Sequence, residues 1–257
     1  MQLIDTHAHI YAEEFNSDRN EMLQRCFENG VSKIFMPNID SSSIESMLNL
    51  ADEFSDQCFP MMGLHPCSVK ENIEMELKTF DDWMMNRNFF AIGETGLDFH
   101  WDKTFVEQQK ISLHYHAKLA KKNKLPIVLH TRESFEDTAK IIEDEKDENL
   151  RGVFHCFSGS IEQAQRVINL GFYMGIGGVV TYKNSGLDKL LPQIDLKHIV
   201  LETDSPYLAP VPFRGKRNES SYLTIIAQRI AEIKNISVAE VARITTENAM
   251  NLFGISH

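Results

Sequence analysis

Eight short apolar segments, each followed by a stretch with helical spacing, constrain this chain more than any other feature. The segments are QLIDTH, KIFMPN, CFPMMGLH, FFAIGETG, LPIVLHT, GVFHCFSG, GFYMGIGG and HIVLETDSP. Most are too continuous for a strand with one wet face and too short for a helix. They read as strands buried on both faces. Between them, RNEMLQRCFENG pairs Met22 with Cys26 and Leu23 with Phe27 at a spacing of four, and Gly30 then stops the pattern. Comparable stretches follow the other segments, with only a short one, SGLDKLLPQ, after the seventh. Two helices close the chain, the second opening on Ser237 and Glu240 at capping-box spacing. Strand then helix, eight times over, predicts an α/β fold of the (β/α)8 TIM-barrel type. No Gly/Ser/Pro linker interrupts residues 1–257, so a single domain is expected. The rival is an open doubly wound sheet, whose dinucleotide form wants GxGxxG after an early strand. The chain offers only Gly175-Ile176-Gly177, at the seventh segment, which reads as a tight turn near a barrel rim.

The formal net charge is −11. Such a chain repels nucleic acid at long range, which excludes tight, salt-driven duplex binding but not a nuclease whose carboxylates are neutralised by metal. No apolar run reaches the length of a membrane span, and MQLIDTHAH lacks the basic and apolar regions of a secretory signal. Four cysteines, Cys26, Cys58, Cys67 and Cys156, are scattered without a CxxC pair, so a reducing, cytoplasmic compartment is expected.

The strand segments end in chemically active residues: His7 and His9 on the first, His65 on the third, Glu94 on the fourth, His130 on the fifth, His155 on the sixth, Glu202 and Asp204 on the eighth. In a barrel that end is the functional rim. His7 and His9, two apart in an extended segment, point the same way. Each histidine alone reads as readily as a satisfied core residue. Together, these imidazoles and carboxylates have no surplus of nearby Lys or Arg and need a counter-charge, which metal supplies. The mixed set suits zinc, manganese, nickel or iron, and magnesium less naturally. Cys156 directly follows His155 and, in a strand, would face the other way, so no thiolate set is expected. In GETGLD, two glycines bracket Glu94 and let backbone approach an ion. Asp98, expected in the loop beyond, could orient a histidine or cap a helix, and both readings stand.

Taken in order, DTHAH, GLHP, GETGLDF, LPIVLHTRES, HCFSG, ETDSPYLAP, RGKRNE and TTENAMNLFG resemble the TatD family of metal-dependent hydrolases, within the amidohydrolase-like barrels, over essentially the whole chain. The resemblance implies two divalent ions, Mg, Zn, Mn or Ni. It implies that His7, His9 and Asp204 hold one, that His130 and His155 hold the other, and that Glu94 bridges them. His65 and Arg132 are implied as phosphate contacts. Family members are reported as deoxyribonucleases, often acting from the 3′ end of single strands. The implied partner is single-stranded DNA or a DNA end, with no obligate protein partner. The chain departs from the family at Ser220, where Pro is usual, and at His116, where Gln is common. His116 shares a helix face with Phe105 and Ala120 and is expected to be packed. His114 is expected to be wet.

The expected reaction is phosphodiester hydrolysis, with Asp204 as metal ligand and general base and Glu94 as the second catalytic carboxylate. Arg214, Lys216 and Arg217, beside Phe213, would hold backbone phosphate, or else form ordinary rim ion pairs. Alternatives are a hydrolase of a small phosphoester, amide or lactone, since barrels host many reactions, and a non-catalytic metal-binding protein. Barrel amidohydrolases of the former kind often carry a carboxylated lysine at the fourth strand. Glu94 stands there and leans toward the nuclease.

Overall fold

A computed structural model of the chain describes residues 1–255. All eight apolar segments contain strands: β1 (Leu3–Asp5), β2 (Val31–Pro37), β3 (Cys58–Met61), β4 (Ile92–Asp98), β5 (Ile127–Arg132), β6 (Gly152–Phe154), β7 (Tyr173–Ile176) and β8 (Ile199–Leu201). The helices are α1 (Arg19–Glu28), α2 (Ile44–Glu53), α3 (Ile73–Asn86), α4 (Val106–Asn123), α5 (Phe135–Glu145), α6 (Ile161–Asn169), the short α7 (Leu187–Leu190), α8 (Leu223–Lys234) and α9 (Val238–Phe253). Gly30, just past α1, adopts a positive φ of 85°, where a Cβ would lie 2.3 Å from the Met1 carbonyl oxygen. At α9 the Ser237 hydroxyl accepts from the Glu240 N–H, giving one half of the expected box.

Every strand pair is parallel, and the strands form two sheets in chain order, β1-β2-β3 and β4-β5-β6-β7-β8. Between β3 and β4 there is one bridge, Met62 with Ile92, with Gly93 N–H donating to the Met62 carbonyl at 2.8 Å. Between β8 and β1 there is another, Ala8 with Ser205, reinforced where Thr6 N–H donates to the Leu201 carbonyl at 3.0 Å.

The apolar runs have a simple cause. Successive strand side chains enter two different layers. Ile4, Phe35, Phe59, Met61, Val128, Val153 and Val200 gather in one cluster with Phe253 and Leu252 of α9. Their neighbours Leu3, Ile34, Met36, Ile127, Leu129, Ile199 and Leu201 belong to the cluster shared with the other helices. Both strand faces are therefore dry. The first layer, closed below by Phe253 stacked 3.6 Å from Phe35, floors the end where the polar residues collect.

Candidate metal centre

His7 and His9 extend β1, and Asp204 and Ser205 extend β8. The two extensions are laced together, with Asp204 N–H donating to the His7 carbonyl at 2.9 Å and His9 N–H to the Ser205 carbonyl at 2.7 Å. β4 runs on to Asp98, so Glu94 lies within the strand rather than at its end, and Asp98 is its last residue rather than part of a loop.

Glu94, 2% exposed, is the hub. Its Oε2 lies 3.0 Å from His7 Nε2 and 3.7 Å from His9 Nε2. Its Oε1 lies 2.7 Å from His130 Nδ1, 3.5 Å from His65 Nε2 and 3.8 Å from His155 Nε2. Asp204 Oδ1 stands 3.7 Å from both His7 Nε2 and His9 Nε2, and 3.8 Å from His155 Nε2. The donor atoms fall into overlapping clusters: His7, His9 and Glu94; His7, His155 and Asp204; His65, Glu94 and His130. His65, expected to meet substrate, thus joins a candidate ligand cluster, and His155 sits nearest His7, with their rings stacked at 3.5 Å. Two distinct groups of nitrogen and oxygen donors around one shared carboxylate suit a two-metal centre. Both ring nitrogens of buried His7 lack a hydrogen-bond partner. Buried imidazoles are rarely left so, and a metal would satisfy Nε2, the nitrogen that faces Glu94.

Several supporting residues were not singled out from the sequence. The Tyr11 hydroxyl donates to the Pro37 carbonyl at 2.6 Å, leaving its oxygen to accept from His9 Nδ1 at 3.0 Å. That assigns the His9 proton to Nδ1 and leaves Nε2 facing the centre. Tyr11 continues the two-residue period of His7 and His9, a signal present in the sequence. Asp5 accepts from Thr203 N–H at 3.0 Å, from the Thr203 hydroxyl at 2.6 Å and from His7 N–H at 3.3 Å, tying the ends of β1 and β8. Asp98 fills the first of its expected roles, orienting a histidine, but caps no helix: α4 begins only at Val106, and Asp98 instead holds the loop that leaves β4. Oδ2 meets His130 Nε2 at 2.9 Å, and Oδ1 accepts from the His100 and Trp101 N–H groups.

Glu202 is 1% exposed. Its Oε1 lies 3.0 Å from His155 Nδ1 and accepts from Cys156 N–H at 2.6 Å. A Cβ on Gly175 would lie 2.1 Å from Glu202 Oε2, so the Gly175-Ile176-Gly177 stretch makes room for this carboxylate. The expectation for Cys156 is corrected. β6 ends at Phe154, Cys156 turns into a positive φ of 49°, and strand alternation no longer applies. Its thiol falls in a cluster with His155 and Glu202. Burial pushes that thiol well up, away from thiolate.

Burial opposes charge throughout the centre, and the outcome differs by neighbour. Burial alone would raise Glu94, but His65, His7 and His155 outweigh it and hold the carboxyl well below its usual range. Burial lowers His7 far below the ordinary imidazole value and His65 to about 4. For His130, burial is overcome by Asp98 and Glu94, which push it up to about 9. For His155, burial is overcome by Glu202 and Glu94, which raise it to about 10. Burial lifts Asp204 to about 6.

The basic candidates divide. Arg132, two residues beyond His130 on β5, places its guanidinium 5.1 Å from the Trp101 ring. Arg214 lies 4.5 Å from the Tyr182 ring. Neither has a carboxylate partner among the described residues. Arg217 instead forks onto Asp18 at 2.6 and 2.7 Å and lies over Phe15. His116 is fully buried, accepting from Leu64 N–H at 3.3 Å, while His114 is 41% exposed beside Glu145.

The chain is similar to known proteins over nearly its whole length. The sequence profile of the family described as TatD related DNase matches residues 4–254. The metal-dependent hydrolase YabD of Bacillus subtilis is 38% identical over 255 residues, spanning 99% of this chain and 100% of its own. The crystal structure of YjjV, a TatD homologue from Escherichia coli K-12, superposes with a TM-score of 0.93 at 30% identity, covering 99% of this chain and 98% of that one. The 3′-5′ ssDNA/RNA exonuclease TatD of Pantoea ananatis is 30% identical over 259 residues, spanning 98% of this chain and 100% of its own. A profile match across nearly the whole chain, joined to histidine and carboxylate clusters on the strands and their extensions, makes this chain a member of the TatD family of metal-dependent hydrolases.

Proposed function

We propose that this chain is a nuclease that uses two divalent ions to hydrolyse phosphodiester bonds in single-stranded or frayed DNA ends. We place the reaction on a closed (β/α)8 barrel forming one domain. The observation that carries the reading is the division of Glu94, with His7 and His9 on one carboxyl oxygen and His130, His65 and His155 on the other. A carboxylate so divided suits a bridge between two ions. The closed barrel is supported by the bridges at Met62 with Ile92 and Ala8 with Ser205, and by the convergence of strand side chains on one apolar cluster. The four free thiols suit a reducing, cytoplasmic setting. No helix among the described residues is long and apolar enough to cross a membrane.

Two divalent ions bound here supply Lewis acidity toward a phosphate oxygen and make a bound water acidic near neutral pH. In this reading His7, His9 and Asp204 would hold one ion and His130 and His155 the other, with Glu94 shared between the two groups. Asp204 would take the proton of the attacking water on its carboxylate. The water oxygen bonds to phosphorus as the ester P–O bond opposite breaks, giving a phosphate monoester and an alcohol. Arg132 donates to the phosphate, where no carboxylate competes for its guanidinium.

The test is metal content of the purified protein, followed by hydrolysis of labelled single-stranded and duplex DNA with each metal added back. Two ions per chain and faster loss of the single strand are expected. Hydrolysis of small esters or lactones with no DNA cleavage under any metal would overturn the nuclease.

A further inference from the structure

We propose that Trp101 is a stacking platform for a nucleobase of the bound strand next to the phosphate held at the metal centre, an inference that rests on the nuclease reading. Trp101 is 68% exposed, an unusual position for the largest apolar side chain. It is nevertheless held in place. Its backbone N–H donates to Asp98 Oδ1 at 3.1 Å, which anchors the loop, and the other oxygen of that carboxylate meets His130 Nε2 at 2.9 Å. The ring of His100 packs edge-on against the indole at 4.9 Å, and His100 Nδ1 is itself fixed 2.7 Å from Glu133. The Arg132 guanidinium lies over the indole at 5.1 Å.

These contacts orient the ring without burying it. Packing alone does not explain so much restraint on a solvated side chain. A flat partner that arrives from solvent does explain it, because a pre-positioned aromatic loses little entropy on stacking. The order of groups along the rim identifies that partner. Glu94 and His130 mark the centre, and Arg132 follows His130 by two residues in β5, on the same strand face. Asp98 and Arg132 are register partners, so the loop carrying Trp101 leaves β4 beside that arginine. Moving outward, the rim offers metal ligands, then a cation without a carboxylate partner, then an aromatic face. A nucleotide strand offers a reacting phosphate, a further phosphate charge and a base in matching order. Stacking accepts any base, so this subsite would set a preference for single strands, whose bases are free, and not for a sequence.

The experiment compares wild type, Trp101→Ala and Trp101→Phe on a single-stranded oligothymidylate and on a nitrophenyl phosphodiester with no base to stack. For Trp101→Ala, kcat/KM on the oligonucleotide should fall roughly 10- to 100-fold, mostly through KM, and far more than on the small diester. Trp101→Phe should recover most of it. In a Trp83→Phe background, leaving Trp101 as the remaining indole, oligothymidylate should quench the emission. Wild type that cleaves the oligonucleotide while Trp101→Ala stays within twofold of it would overturn the platform and leave the nuclease standing. Equal losses on both substrates, with a lowered Tm, would assign Trp101 a structural role and also overturn it. Wild type that cleaves the diester but no oligonucleotide with any metal would overturn the nuclease reading itself, and the occupant assigned to Trp101 with it.

Discussion

Oε1 of Glu202 lies 3.0 Å from Nδ1 of His155, deep below the surface and on the side of the ring away from Glu94. The pair is within ion-pair range, and neither His155 Nδ1 nor Glu202 Oε2 has an aligned hydrogen-bond partner. A carboxylate behind an imidazole fixes which ring nitrogen faces the metal and strengthens it as a ligand. Glu202→Gln should therefore weaken metal binding by about 10- to 100-fold while circular dichroism stays near wild type. Gly175→Ala should have a similar effect from the other direction, since the new methyl would occupy the place of Glu202 Oε2. Chelator competition on purified protein reads both. Wild-type affinity in both variants would remove Glu202 from the centre.

Glu94→Gln should abolish hydrolysis and lower the content of both ions together, because a single carboxylate serves both donor groups. The fold should survive, since the apolar clusters do not include this side chain. Retention of two metals with near-normal turnover would refute the bridge.

Arg217 is committed to Asp18 through a forked pair and to the Glu14 carbonyl at 2.8 Å. Arg217→Ala should lower Tm by a few degrees, the scale of about 1 kcal/mol in a chain of this size, and leave the salt dependence of DNA binding nearly untouched. Arg214→Ala should do the reverse. The pair also has a pH signature. Hydrogen bonding to Arg217 holds the Asp18 carboxyl down at about 2, below its ordinary 3.8. The stabilisation is thus complete above about pH 4 and is lost as pH falls through 2. Acid unfolding of wild type and Arg217→Ala should converge in that window. A flattened salt slope in Arg217→Ala would return this residue to the DNA-binding surface.

His116 is buried beneath the rim, and burial lowers it from 6.5 to about 4. Between those values the unfolded chain binds a proton that the folded chain refuses, so this group costs stability progressively as pH falls. By pH 5 the loss is on the order of 2 kcal/mol relative to pH 8. His116→Gln, which keeps an acceptor for Leu64 N–H, should remove that part of the acid sensitivity. Urea unfolding of both proteins at pH 8 and pH 5 measures it, and equal losses would show that His116 does not titrate as described.

The strands were legible because each side of each one is dry. Ile127, Val128 and Leu129 look alike in sequence although they enter two different layers. The site was legible because its residues follow those runs. Less visible was anything that depended on where a strand stops. Cys156 was misplaced because β6 ends two residues before it. Outside the candidate ligand set, contacts between distant parts of the chain were not visible. Asp5 meets Thr203 across 198 residues, and Arg217 meets Asp18 across 199. Nothing in local spacing encodes such a pairing. Gly175 shows the same limit, since a GxG motif reads as a turn until the carboxylate that fills its vacant side is seen.

The lacing of the β1 and β8 extensions sets an order of events during synthesis. His7 and His9 leave the ribosome nearly two hundred residues before Asp204 and the Ser205 carbonyl that accepts from His9. A nascent chain holds most of the imidazoles of the centre for most of its elongation, yet it lacks the carboxylate and the backbone partners that complete the first donor group. Tight metal retention would therefore mark a chain that has joined its β1 and β8 extensions.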